Sequence, residues 1–172
     1  MNRFKTLAIS TMAMLCVGIA LTAAGAMAQG MSKIDKTKLV GTWTVVSVTN
    51  TSADGKVTQV FGPNDGLLVF ERNGKFVQVE ARSAIPNFAS NNRNTGSPDE
   101  NKAVVQGSLA YFGTYTVGAD GTLIQRVERS SYSNLNGTDR KITITSLTAD
   151  ELKWRIVPTI GGIAEATWKR VK

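Results

Sequence analysis

The side chains with chemistry to offer fall on a few alternating stretches. Between residues 74 and 82, one phase of the alternation carries Phe76, Gln78, Glu80 and Arg82, and the other carries Val77, Val79 and Ala81. In a β-strand these two sets face opposite ways. An ordinary core takes the valines. The other choice puts an amide and two charges inside, which is costly unless they are paired. Both choices are open from the residues alone. Between residues 109 and 117, one face carries Leu109, Tyr111, Gly113, Tyr115 and Val117, with Gly113 leaving space between two rings. A phenol offers apolar area with one polar handle, so this face suits a ligand pocket as well as a core. On the next stretch Arg126 and Glu128 share a phase opposite Val127 and Arg129, the pattern of a solvated surface pair. Trp154 falls in step with Leu152 and Ile156 and is expected to face inward. Arg93 lies in a polar loop over residues 87–96, whose one large apolar residue is Phe88. As a lid, that loop would be anchored by Phe88 and would offer Arg93 to an anionic group.

Two kinds of function fit these residues. A buried carboxyl beside a phenol would serve isomerisation, cyclisation or hydration of a bound hydrophobe. Glu80 or Glu128 would be the base and Tyr111 or Tyr115 the acid. Without such a pair, Phe76, Gln78, Glu80, Arg93, Tyr111, Tyr115 and Trp154 are ligand-binding candidates for a small hydrophobic or amphipathic molecule. This second reading is favoured, with no catalytic residue assigned and no cofactor or metal expected. The chain has no histidine, and its single cysteine is Cys16. Ser-His-Asp and Cys-His catalysis are therefore excluded, along with ordinary zinc sites.

The first residues have a separate purpose. Arg3 and Lys5 precede an uncharged apolar run over residues 7–24, and Ala26-Met27-Ala28 follows it. This is the pattern of a signal peptide over residues 1–28, cleaved after Ala28, and predicts a periplasmic or secreted protein with no stable membrane span. Cys16 lies inside that run and follows Leu15, which disfavours lipidation, so the mature chain has no thiol and no disulfide. The formal charge is +7, but the basic residues are scattered apart from Lys169, Arg170 and Lys172. Scattered charge gives no nucleic-acid footprint, and none is expected as a partner.

The elements that position these side chains read as strands. Residues 29–38 are a polar, flexible lead-in with room for one helical turn. Strands are predicted over residues 39–50, 56–61, 66–71, 74–82, 108–117, 122–131, 139–147, 152–157 and 163–171. Turn signals lie between them, of which Asn73-Gly74 is the strongest. Residues 62–66 read as a loop of breakers. Ser97-Pro98-Asp99-Glu100 starts a short helix over residues 98–106, ended by Gly107, with Ala103, Val104 and Val105 as its packing face. Consecutive strands with short turns suit an all-β, up-and-down antiparallel barrel of about 8–10 strands over residues 39–172. A two-sheet sandwich is the rival.

The segments VGTW, FGPNDGLLVFERNGKF, FASNNRNTGSPDENKAVVQGSLAYFGTYTV, NGTDRK and WKR together resemble the bacterial lipocalin-like domain family across residues 39–172. The resemblance implies a small barrel of the lipocalin superfamily. It also implies that Trp43 plugs the closed end and that Arg170 packs over it. It carries no catalytic residues with it.

Overall fold

The computed structural model describes residues 34–172. The expected signal peptide, and the lead-in up to residue 33, lie outside the described residues. The last part of the lead-in is a helical turn, α1 (Lys36–Leu39), whose start is capped by Asp35 accepting from the Thr37 amide at 2.9 Å. Leu39 is the last residue of that turn and fully buried, so the first strand begins at Gly41 and not at Leu39.

Nine strands follow: β1 (Gly41–Thr51), β2 (Val57–Gln59), β3 (Asn64–Phe70), β4 (Lys75–Arg82), β5 (Ser108–Val117), β6 (Thr122–Ser130), β7 (Asp139–Leu147), β8 (Glu151–Ile156) and β9 (Ile163–Arg170). Each pairs antiparallel with the next around the sheet, and β9 pairs back onto β1. Eight strands thus close a barrel, and β2 is an extra short strand beside the end of β1. Closure, as opposed to two stacked sheets, leaves the barrel strands without a free edge at the seam. The 62–66 breakers do not all form a loop. Asn64, Asp65 and Gly66 already pair with Arg82, Ala81 and Glu80, because the hairpin register set at Phe70 opposite Phe76 carries them into the ladder.

The long connection between β4 and β5 holds α2 (Pro98–Gly107). Its start is the predicted capping box: Ser97 Oγ accepts from the Glu100 amide at 3.3 Å, and Glu100 accepts from the Ser97 amide at 2.7 Å. Glu100 also accepts from the Ala89 amide at 2.7 Å, which ties the loop to the helix. Of the expected packing face, Ala103 and Val104 are half-buried but Val105 is 74% exposed. On so short a helix, only one narrow stripe meets the barrel.

One end of the barrel is stoppered. Trp43 is fully buried and its indole N–H donates to the Leu39 carbonyl at 2.9 Å. The Arg170 guanidinium lies 4.0 Å from the Trp43 ring centroid. It donates to the carbonyls of Val40 at 2.8 Å and Lys38 at 2.6 Å, and to that of Ala149. Gly41 explains the glycine two residues before the tryptophan. Its φ is +134°, and a Cβ there would fall on the Arg170 guanidinium. Phe70 and Tyr115 pack at 4.6 Å between centroids, and the Tyr115 hydroxyl donates to the Glu71 carbonyl at 2.9 Å. Leu68, Leu123, Leu152 and Trp168 complete this apolar half.

Gly113 has a different purpose from the one expected. A Cβ there would collide with the Arg126 carbonyl of β6, where the β5–β6 register shifts between Phe112 and Gly113. The residue permits close backbone approach and does not make room between rings.

Arg170→Met keeps the aliphatic stem and deletes the three carbonyl contacts. It should lower unfolding free energy by about 2–4 kcal/mol, read from urea denaturation. An unchanged midpoint would show that the barrel end holds without the arginine.

Candidate functional site

The other half of the interior is polar. β4 turns Phe76, Gln78 and Glu80 inward and leaves Val77 and Val79 outside, 46% and 43% exposed. The alternation is therefore inverted relative to an ordinary core. Gly66 makes this possible, because it faces Glu80 across the β3–β4 ladder and a Cβ there would lie 2.9 Å from the Glu80 side chain. Glu80 is 4% exposed. It accepts from Gln78 Nε2 at 2.6 Å and from Asn64 Nδ2 at 3.3 Å.

Three further strands complete the cluster. Tyr111 of β5 is the cross-strand partner of Gln78 and meets Phe76 edge-on at 5.8 Å. Gln125 of β6 is fully buried and pairs across the ladder with Arg140 of β7. Arg140 donates through Nη1 to the Tyr111 hydroxyl and to Gln125 Oε1, the latter at 3.3 Å, with its Cζ 4.6 Å from the Tyr111 ring centroid. Burial pulls the Arg140 pKa down to about 10, partly offset by the charge of Glu80, so the guanidinium stays protonated at neutral pH. Burial also pushes the Glu80 carboxyl above the ordinary glutamate range, with Gln78 and Arg140 opposing. The two charges influence each other without forming a direct ion pair.

Several polar atoms here have no protein partner. Gln78 Oε1, Gln125 Nε2 and, on β1, Asn50 Oδ1 are buried and unbonded. Such groups are rare in folded proteins and call for a partner outside the chain or for water.

The structure separates the other candidates. Tyr115 lies in the stoppered half, with its hydroxyl committed to Glu71. Trp154 is 4% exposed, faces inward with Leu152, and packs against Trp168 at 5.4 Å. Arg82 leaves the interior and donates to the Phe61 carbonyl at 2.9 Å. Arg126 and Glu128 do not pair with each other. Arg126 reaches Asp139 on the adjacent β7 at 3.2 Å, and Glu128 reaches across β5 to Lys75 on β4 at 2.6 Å, so Glu128 lies on the outer wall. Of the acid–base combinations, only Glu80 with Tyr111 shares the polar half of the interior, and no hydrogen bond joins them. Arg93 is exposed on a 3-10 turn (Arg93–Thr95), and Phe88 packs against Gly96 within the same loop, with no recorded bond from either to the polar cluster. Among the described residues, no group of carboxylates is placed to hold a metal.

Sequence reasoning missed Arg140, Gln125 and Asn64. The signal was present for the first two. Arg140 alternates with Ile142 and Ile144, and Gln125 sits between Leu123 and Val127, each in the buried phase of its strand.

Glu80 gives a pH signature. Below the unfolded glutamate pKa of about 4.3, its carboxyl is protonated in both states. As pH rises, the unfolded chain releases the proton first, so the stability this group allows is lost until the native pKa is passed. Glu80→Gln should therefore gain stability over the parent from about pH 4 upward, with parallel denaturation curves below it. A difference constant with pH would place the carboxyl in water.

The sequence model described as Lipocalin-like domain matches residues 40–171. No curated protein matches the chain. Among solved structures, bovine odorant binding protein in complex with a selenium-containing odorant is 17% identical, with 82% of this chain and 75% of that one covered and a TM-score of 0.41. The amine binding protein of Rhodnius prolixus, in its tryptamine complex, is 10% identical, covering 81% and 67%, at a TM-score of 0.44. A redesigned β-barrel is 16% identical, covering 79% and 94%, at 0.43. The family match begins one residue before β1 and extends one residue past β9, and the closed antiparallel barrel is the architecture that its description implies: the chain belongs to the lipocalin-like domain family.

Proposed function

We propose that this protein binds one small, largely apolar molecule with a polar end, held in the polar half of its barrel. The observation that carries the reading is the unbonded Gln125 Nε2 in a fully buried side chain, beside the half-buried Arg140, with a second unbonded amide atom at Gln78 Oε1 on β4. A buried donor or acceptor left unpaired costs about 1–3 kcal/mol. A guest carrying matching groups would recover that free energy. Phe76, Tyr111 and Trp154 would supply apolar contact, and Gln78, Glu80, Gln125 and Arg140 orientation. The stoppered half leaves no room for a guest along the full bore, so a compact ligand fits better than a long one.

The leader over residues 1–28 supports export to the periplasm or beyond. Among the described residues, no helix is long and apolar enough to cross a membrane.

A catalytic reading rests on the same cluster. Arg140 donates to the Tyr111 hydroxyl, and Glu80 has a raised pKa. Together they would suit proton transfer on a bound hydrophobe. The missing contact between Glu80 and Tyr111 puts binding ahead.

Native mass spectrometry of the protein purified from its own host should show a bound mass that denaturation releases. An apolar fluorescent probe should bind saturably and be displaced by that ligand, and Gln125→Leu should weaken the ligand at least about tenfold, or 1.4 kcal/mol. No bound mass together with no saturable probe binding would overturn the reading.

A further inference from the structure

The barrel wall has an opening between β7 and β8. On one edge, β7 is paired to β6 from Thr143 through Asp139. On the other, its ladder to β8 runs from Leu147 and stops where Thr143 faces Arg155. β8 continues beside β9, where Ile156 faces Ala164. Residues 139–142 therefore have no strand partner on the β8 side. The cause is local. Pro158 lies two residues past the end of β8, lacks an N–H, and biases Val157 before it. The chain then turns, with the Gly161 amide donating to the Pro158 carbonyl at 3.0 Å. β8 peels away from β7 instead of extending their ladder.

The opening is a cavity of about 410 Å³, within the ordinary size of ligand pockets. Leu135, Ile156 and Val157 give it apolar walls, Thr138 and Lys141 also line it, and Arg140 belongs both to it and to the interior cluster. Its charge is one-sided. Asp139, the one carboxylate in the lining, is paired with Arg126 at 3.2 Å. Among the described residues, Arg140 has no carboxylate within ion-pair distance, although the charge of Glu80 acts on it from farther away. Only its Nη1 has a recorded acceptor, in Tyr111 and Gln125, which leaves Nε and Nη2 without one among the described residues. Gln125, fully buried against Arg140, adds an unbonded Nε2. Arg140 and Gln125 thus offer donors without acceptors where the lining of the opening joins the interior cluster. A guest rich in acceptor oxygen, carrying negative charge and a short apolar body, matches that surplus.

We propose that the opening between β7 and β8 is a binding site for a small organic monocarboxylate, whose head meets Arg140 and Gln125 and whose apolar body lies against Leu135, Ile156 and Val157. The inference rests on the ligand-binding reading above and shares its polar anchors Arg140 and Gln125, but it names the ligand's chemical class and seats the apolar body in the opening instead of against Phe76, Tyr111 and Trp154. Arg140 has two roles in this arrangement. It props the Tyr111 hydroxyl from inside, and it presents its remaining donors to the guest.

The test is calorimetric titration of the leader-free chain with octanoate, octanol and octylamine, alongside an apolar fluorescent probe. Octanoate should bind at least tenfold more tightly than the alcohol or the amine, and added salt should weaken it. Arg140→Gln should erase the preference for the acid. Because Arg140 is partly buried, a second variant guards against misfolding: Thr159 is an exposed residue in the lining of the opening, and Thr159→Glu places negative charge there and should weaken octanoate at least threefold with octanol unchanged. Equal affinity for octanoate and octanol would overturn the carboxylate site and leave the ligand-binding reading standing. So would octanoate affinity indifferent to both substitutions, or probe binding with none of the three ligands. Failure of the probe and all three ligands together would remove both.

Discussion

The structure depends on the ladder between β1 and β9. It pairs Trp43 with Arg170 at one end and Thr51 with Ile163 at the other, and turns a nine-stranded sheet into a closed barrel. No cysteine lies among the described residues, so no disulfide reinforces that seam. Arg170 does part of that work. From the last strand it reaches back to carbonyls at Lys38 and Val40 ahead of the first, and sideways to Ala149 in the β7–β8 turn. One guanidinium thus satisfies carbonyls from two separate stretches while stacking on Trp43, a use suited to its planar fork of donors.

The seam permits the division of the interior. At the stoppered end, large side chains fill the bore: Trp43, Phe70, Tyr115, Leu123 and Trp168 are all at most 1% exposed. That apolar packing stabilises the barrel enough for the other half to hold groups that oppose folding. Glu80 and Arg140 are desolvated, and Gln78, Gln125 and Asn50 keep polar atoms without partners. Trp168 Nε1 in the stoppered half is also buried and unbonded, but the desolvated charges and the unbonded amides lie together in the other half, which is the pattern of a site. The inverted alternation of β4 has a counterpart on the outer wall. Leu67, Val77, Val79 and Phe112 remain exposed there because the inward phase of their strands was taken by Gly66, Gln78, Glu80 and other interior groups.

Much of this was legible in the residues. Turn-forming glycines, period-two alternation and the Ser97–Glu100 cap are local signals, set by backbone sterics and hydrogen bonds within a few residues, and they gave nine strands and one helix in their places. Gly41 and Trp43 with Arg170 were identified through family resemblance, while the reason for the glycine appeared only once Arg170 was seen lying over it. Arg140 and Gln125 were missed although their alternation was visible. A single polar residue in a buried phase reads as noise until its neighbours across the barrel are known.

The sequence alone thus determined element type, order and the two faces of each strand, because these follow from chain geometry at short range. It left open which face of β4 turned inward, since a strand with valines on one side and Glu80 on the other satisfies period two either way. Tertiary structure decided it. It set Gly66 opposite that carboxylate and, in the same half of the interior, joined Tyr111 and Gln125 through Arg140, residues from four different strands. Contacts between residues so far apart in the chain depend on strand register and barrel curvature, which no local pattern encodes.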